Sequence, residues 1–182
     1  MFIKIIYFKN EFFEVKRIQY QKKFDKNIKQ VSERRNVSQK EIKSVGILTT
    51  ASISLSIDLQ AKIEAVLGVK NVRIYSFKKS DATKDTSFKY FTQKDINWKG
   101  IYIEPSFKSF LEEPFDLLIG YFSEANLYLE TAVLQSNATF KAGFSGVNSK
   151  LYELEISEST AHVEAFSSEL KKYLQILKKL KN

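Results

Sequence analysis

Phe115-Asp116-Leu117-Leu118-Ile119-Gly120-Tyr121-Phe122 is apolar on both faces, with Asp116 as its one charged residue. A strand that keeps one face in water alternates apolar with polar; one covered on both faces does not, and this is how a central parallel strand reads. The run therefore predicts a central strand with Asp116 at its N-terminal edge. Upstream, Pro105 opens a short helix through Phe107, Phe110 and Leu111, as proline suits a first helical turn. Downstream, Ser123 is placed to cap a helix from about Glu124 to Gln135, and Thr139 to Phe144 form the next strand.

The same texture extends in both directions. Val45-Gly46-Ile47-Leu48 predicts a strand, followed by Thr49-Thr50-Ala51-Ser52 and a helix whose buried stripe is Leu55, Leu59, Ile63, Val66 and Leu67. Gly68 ends that helix as a left-handed cap. Val72, Ile74 and Phe77 mark a second strand, Lys78 to Asn97 a polar loop, and Ile101 to Ile103 a third strand. In Leu151 to Ser157, Glu153 and Glu155 alternate with Tyr152, Leu154 and Ile156, which places that strand at an edge. A final helix, capped by Ser159 or Thr160, carries Val163, Phe166, Leu170, Leu174 and Leu177 on one face. Strands alternating with crossover helices predict the α/β class: an open, mostly parallel Rossmann-like sheet of about five to six strands with helices on both faces.

Residues 44–182 are expected to form this single α/β domain, and residues 1–43 a basic helical arm and its connection. The arm holds 12 Lys and Arg against 5 Asp and Glu, while the remainder holds 17 against 16, so nearly all of the net charge of +8 lies in the first quarter of the chain. Residues 8–35 lack glycine and proline and space Phe8, Phe12, Val15, Ile18, Phe24, Ile28 and Val31 mostly three or four apart, the pattern of an amphipathic helix. Lys16, Lys22, Lys23, Lys26, Lys29, Arg34 and Arg35 occupy its other side and are the candidate polyanion-binding residues.

Composition removes many chemistries. There is no cysteine and one histidine, His162, so disulfides, thiolate metal sites and multi-histidine zinc sites are excluded. A Ser-His-Asp triad would have to use His162. No glycine lies between Gly46 and Gly68, so neither a Walker loop nor a dinucleotide fingerprint occurs, and no cofactor or metal is expected. Apolar runs such as Ile5 to Phe8 are a handful of residues long, against the roughly 20 needed to span a bilayer. With Lys9, Glu11 and Glu14 interrupting any signal-like core, a cytoplasmic location is expected.

A parallel sheet of this kind binds ligands beyond the carboxyl ends of its strands. Thr49, Thr50, Ser52, Glu124, Ser145 and Asn148 fall there and are the candidate small-ligand residues. Helix capping and tight turns account for the same residue types.

On Trp98-Lys99-Gly100, Pro114 to Ile119, Tyr121 and Ala138-Thr139-Phe140-Lys141-Ala142-Gly143-Phe144, the chain resembles a bacterial family of short α/β proteins of unknown function, over about residues 35–180. That resemblance implies a shared architecture without an assigned chemistry. More distantly, Asp116, Lys141 and Gly143-Phe144 are similar to the N-terminal domain of heptosyltransferase-type glycosyltransferases, although the first strand-to-helix turn lacks the Gly-Asp of that pattern. This likeness implies half of a two-domain enzyme retained for another use. The function expected from the sequence is a non-catalytic interaction module whose basic arm contacts a ribonucleoprotein or an anionic membrane face. The alternative is a small phosphate- or sugar-binding protein, or a minimal glycosyltransferase-like enzyme, working at the strand ends.

Overall fold

A computed structural model of the chain describes residues 17–30, 40–79 and 88–181. Six strands, β1 (Ser44–Thr50), β2 (Asn71–Phe77), β3 (Tyr90–Phe91), β4 (Leu117–Tyr121), β5 (Lys141–Phe144) and β6 (Leu154–Ile156), form one sheet in the order β3-β2-β1-β4-β5-β6. Every neighbouring pair is parallel. The helices are α1 (residues 17–30), α2 (Ala51–Ser56), α3 (Leu59–Leu67), α4 (Pro105–Glu112), α5 (Leu127–Gln135) and α6 (Val163–Ile176). This is the expected open Rossmann-like sheet. Successive strands are added outward in one direction from β1 to β3 and in the other from β4 to β6, so the topological switch point lies between β1 and β4.

Side-chain alternation assigns the helices to faces. Tyr75 of β2 packs on Phe107 and Phe110 of α4, and Phe77 stacks on Tyr128 of α5. Ser76, pointing the other way, hydrogen-bonds Ser54 of α2. On that second face, Tyr121 and Phe144 meet Phe166 of α6, and α6 packs on α3. Residues of β4 are fully buried along its whole length, as a run apolar on both faces requires. Asp116 sits at the N-terminal edge, where one carboxylate oxygen accepts bonds from Lys43 N, Ser44 N and Ser44 Oγ, each at 3.0 Å. It ties the start of β1 to the start of β4.

The third strand is not where the sequence placed it. Ile101 to Ile103 instead form one side of a short antiparallel hairpin, bridged from Tyr102 to Ile96, while the sheet's third strand is Tyr90–Phe91. The turn decides this: Asn97 N donates to Ile101 O and Gly100 N to Asn97 O, each at 2.9 Å, and Gly100 takes φ +75°. The expected single helix after β1 is also divided. Ile57 is extended and Asp58 caps α3 by accepting from Ala61 N at 3.1 Å, since a short acidic side chain competes with the helical backbone. Leu55, expected in the buried stripe, is consequently exposed. Asn126, not Ser123, caps α5, its Oδ1 accepting from Tyr128 N and Leu129 N at 3.1 Å. Helix α6 begins after His162 with no side-chain cap bond.

Helix α1 contributes to the same core. Tyr20, Phe24 and Ile28, four apart, are buried; Ile18 lies about a third of a turn from their centre line and is exposed. Tyr20 Oη reaches Ile96 O at 3.5 Å, and Lys23 Nζ reaches Trp98 O at 3.4 Å, so the helix rests on the hairpin. Residues 1–16 and 31–39, including Phe8, Phe12, Val15, Val31, Lys16, Arg34 and Arg35, lie outside the described residues.

Candidate functional site

At the switch point, the end of β1 is held to the end of β4. Thr49 is fully buried and its Oγ1 donates to Tyr121 O at 2.8 Å, so this hydroxyl's proton is committed within the sheet. Thr50 is the N-cap of α2; its Oγ1 accepts from Ile53 N at 3.4 Å and shares a 2.9 Å bond with Ser52 Oγ. Ser52, Glu124 and Ser145 are exposed. Asn148 is half-buried and caps the 3-10 turn Ser149–Leu151 by accepting from Lys150 N at 3.2 Å. The fold thus brings the β4 and β5 end loops side by side, with Ser123 O next to Gly146. Three of the six candidate side chains, Thr49, Thr50 and Asn148, hold backbone in place.

The buried carboxylate of this region is Glu130, not Glu124. It lies in the first turn of α5, nearly covered, with Oε1 accepting from Asn126 N at 2.9 Å. Burial pushes its pKa up, the Asn126 N–H opposes that, and the negative charge of Asp25 on α1 adds to it. A carboxyl whose folded pKa exceeds its unfolded value binds its proton more tightly in the fold. Its stabilising effect is therefore present below the ordinary carboxylate range and is lost as pH rises through the folded value. Glu130→Gln is accordingly expected to be more stable than the parent at pH 7, with the difference closing at about pH 4, the ordinary carboxylate value. Urea midpoints of both chains at the two pH values check this; equal midpoints at pH 7 would contradict it.

His162 stands exposed before α6, its Nδ1 3.8 Å from Glu158 Oε2. Among the described residues, no three His, Cys, Asp or Glu side chains gather into a metal site. No described helix is long and apolar enough to cross a membrane.

A groove of about 860 Å³ runs along β2, lined among others by Leu55, Asp58, Arg73, Tyr75, Phe88 and Ser106. Among the described residues, β3 pairs with β2 at Ser76 and Phe77, and the earlier half of β2 has no strand on that side. Arg73 is ion-paired with Glu113, and Lys89 lies over the Tyr75 ring. Charges so placed keep an exposed edge from pairing with another chain.

The basic residues form a better-defined surface. Lys22, Lys26 and Lys29 are exposed and, by their spacing, project from the side of α1 opposite Tyr20, Phe24 and Ile28. Lys23 is half-buried and turns over the indole of Trp98, 5.1 Å from its centroid, with Lys99 5.4 Å from the same ring. Trp98 is exposed. The alternation of Ile101 with Ile103 was the available signal for an outward apolar pair here.

The family pattern called DUF6913 matches residues 16–177, from the start of α1 to the end of α6. The chain belongs to this family of unknown function. The matched span includes α1 together with the sheet. No curated protein and no solved structure matches the chain.

Proposed function

We propose that this protein is a non-catalytic docking module that binds a polyanion on the face made by α1 and the neighbouring hairpin. The observation that carries this is the division of α1: Tyr20, Phe24 and Ile28 are committed to the core, and Lys22, Lys26 and Lys29 face water as one row. A helix so anchored presents its charges in fixed register. Phosphates on a rigid partner are met by such a row with little further ordering of the backbone. The bonding of Thr49, Thr50 and Asn148 within the fold weighs against the small-ligand alternative at the strand ends. In a cytoplasmic setting, the polyanions on offer are a ribonucleoprotein and an anionic membrane face.

The experiment compares the full chain with the Lys22→Gln/Lys26→Gln/Lys29→Gln variant in co-sedimentation with ribosomes and with anionic vesicles over a salt series. Each lysine near an anionic lipid surface contributes about 1 kcal/mol, so the variant is expected to bind vesicles roughly 100-fold more weakly. For a nucleic-acid target the log-log salt slope is expected to fall by about 2–3. An unchanged affinity and slope would remove α1 from the interface.

A further inference from the structure

The basic face carries an apolar tip. Trp98, Ile101 and Ile103 are 61%, 48% and 54% exposed, within six residues of chain. Ile101 and Ile103 flank the buried Tyr102, so alternation places both on the outer side of the hairpin.

The tip is held firmly. Asn97 Oδ1 accepts from Lys99 N at 2.9 Å and Ile101 N at 3.1 Å, and Ile103 N donates to Asp95 O at 2.8 Å. Asp95 in turn accepts from Thr92 N and Thr92 Oγ1 at 2.7 and 3.0 Å. The nearby acids are thus engaged: Asp95 in this turn, Glu104 in capping α4, and Asp25 with Gln21 at 3.0 Å. The lysines at the tip are Lys23 and Lys99 on the indole, with Lys94 at the base of the hairpin.

We propose that this hairpin tip enters the headgroup boundary of an anionic bilayer, with Trp98 at the interface, Ile101 and Ile103 in its apolar zone, and the surrounding lysines on lipid phosphates. The proposal rests on the polyanion-docking function above and names the polyanion. Two features select a bilayer. Nucleic acid rewards aromatic faces on which bases stack; the Trp98 ring is engaged by Lys23 and Lys99, and the outward isoleucine pair offers no such face. The core of a protein interface is depleted in lysine, whereas lysines surround this tip. An indole beside aliphatic side chains and a cationic rim is the composition that suits a membrane interface.

Trp98 is the single tryptophan of the chain, so its fluorescence reports this tip alone. Full-length protein is titrated with vesicles of equimolar phosphatidylcholine and phosphatidylglycerol, with pure phosphatidylcholine vesicles, and with polyuridine. The anionic vesicles are expected to shift Trp98 emission to the blue, and bromine-labelled lipid in them to quench it; pure phosphatidylcholine does neither. Ile101→Ser/Ile103→Ser is expected to lose the blue shift and at least tenfold in vesicle affinity with unchanged thermal melting, while its residual binding stays salt-sensitive. Vesicle binding without a shift or quenching would overturn the proposal but keep the docking function, leaving the lysine row of α1 as the contact. Binding to polyuridine with none to vesicles would do the same in favour of nucleic acid. Binding to neither would overturn both.

Discussion

Phe107→Ala is expected to destabilise the fold by about 3–5 kcal/mol, the usual cost of deleting a buried aromatic side chain. The ring is fully buried at the meeting point of four elements. It stacks on Phe91 of β3 at 4.0 Å, meets Tyr102 of the hairpin edge-on at 4.8 Å, and contacts Tyr75 of β2 at 5.1 Å and Phe110 of its own helix at 6.1 Å. Removing it leaves a cavity bordered by rings that cannot all move inward at once. Domains of this size are stable by about 5–15 kcal/mol in total, so the loss is a large share. The measurement is a urea unfolding curve, with the midpoint falling at unchanged slope. Phe107→Leu, which keeps most of the volume, is expected to cost less than about 1.5 kcal/mol. If Phe107→Ala lost less than about 1 kcal/mol, the aromatic cluster would not be what seats the hairpin. The link to docking is direct, because Tyr102 is the inward neighbour of both Ile101 and Ile103.

How far these features could be read from sequence depended on whether the deciding contact was local. β4 was legible because burial on both faces leaves an unbroken apolar run, and the α4 start because Pro105 acts on its own backbone. β3 was not, since Tyr90 and Phe91 are too few to show a period. Ile101 and Ile103 alternate as any strand does, and what made them half of a hairpin was the turn at Asn97 to Gly100. In α1, the lysine row was legible, but Tyr20 rather than Ile18 joined the buried stripe, since Tyr20 is in line with Phe24 and Ile28 and Ile18 is about a third of a turn away. At the strand ends, position was legible and availability was not: Thr49 stands where a ligand residue would, yet the carbonyl of Tyr121 takes its hydroxyl. Glu130 was not legible because a helix read from about Glu124 puts it in mid-helix, where an acid ordinarily faces water, whereas here the fold nearly covers it. Gly143 and Gly146 stand at the end of β5 and in the turn after it, yet neither has a positive φ, and the demand on Gly143 comes from Tyr152.

Gly120→Ala and Gly143→Ala are each expected to destabilise the protein by about 1–3 kcal/mol, as overpacking of a filled core does, but through different atoms of one ring. Tyr152 is buried against the faces of β4 and β5, and burial pushes its hydroxyl pKa far upward, so the group stays protonated. A methyl at Gly120 would intrude on the Tyr152 hydroxyl, with ring carbons next at 2.9 and 3.0 Å. A methyl at Gly143 would intrude on the ring itself, including two edge carbons at 2.6 Å. Tyr152→Phe removes the oxygen and leaves the ring. It should therefore relieve Gly120→Ala and leave Gly143→Ala unrelieved. In two double-mutant cycles, the coupling with Tyr152→Phe is expected to be at least about 0.5 kcal/mol for Gly120 and near zero for Gly143. The cycle form matters because Tyr152→Phe carries a cost of its own, which cancels in the coupling. Equal couplings would mean that β4 and β5 shift together to accept either methyl, and that the ring does not fix their spacing. Unequal couplings in the expected order would locate the constraint in Tyr152, a residue outside the sheet that sets how closely the β4 and β5 end loops approach beside the switch point.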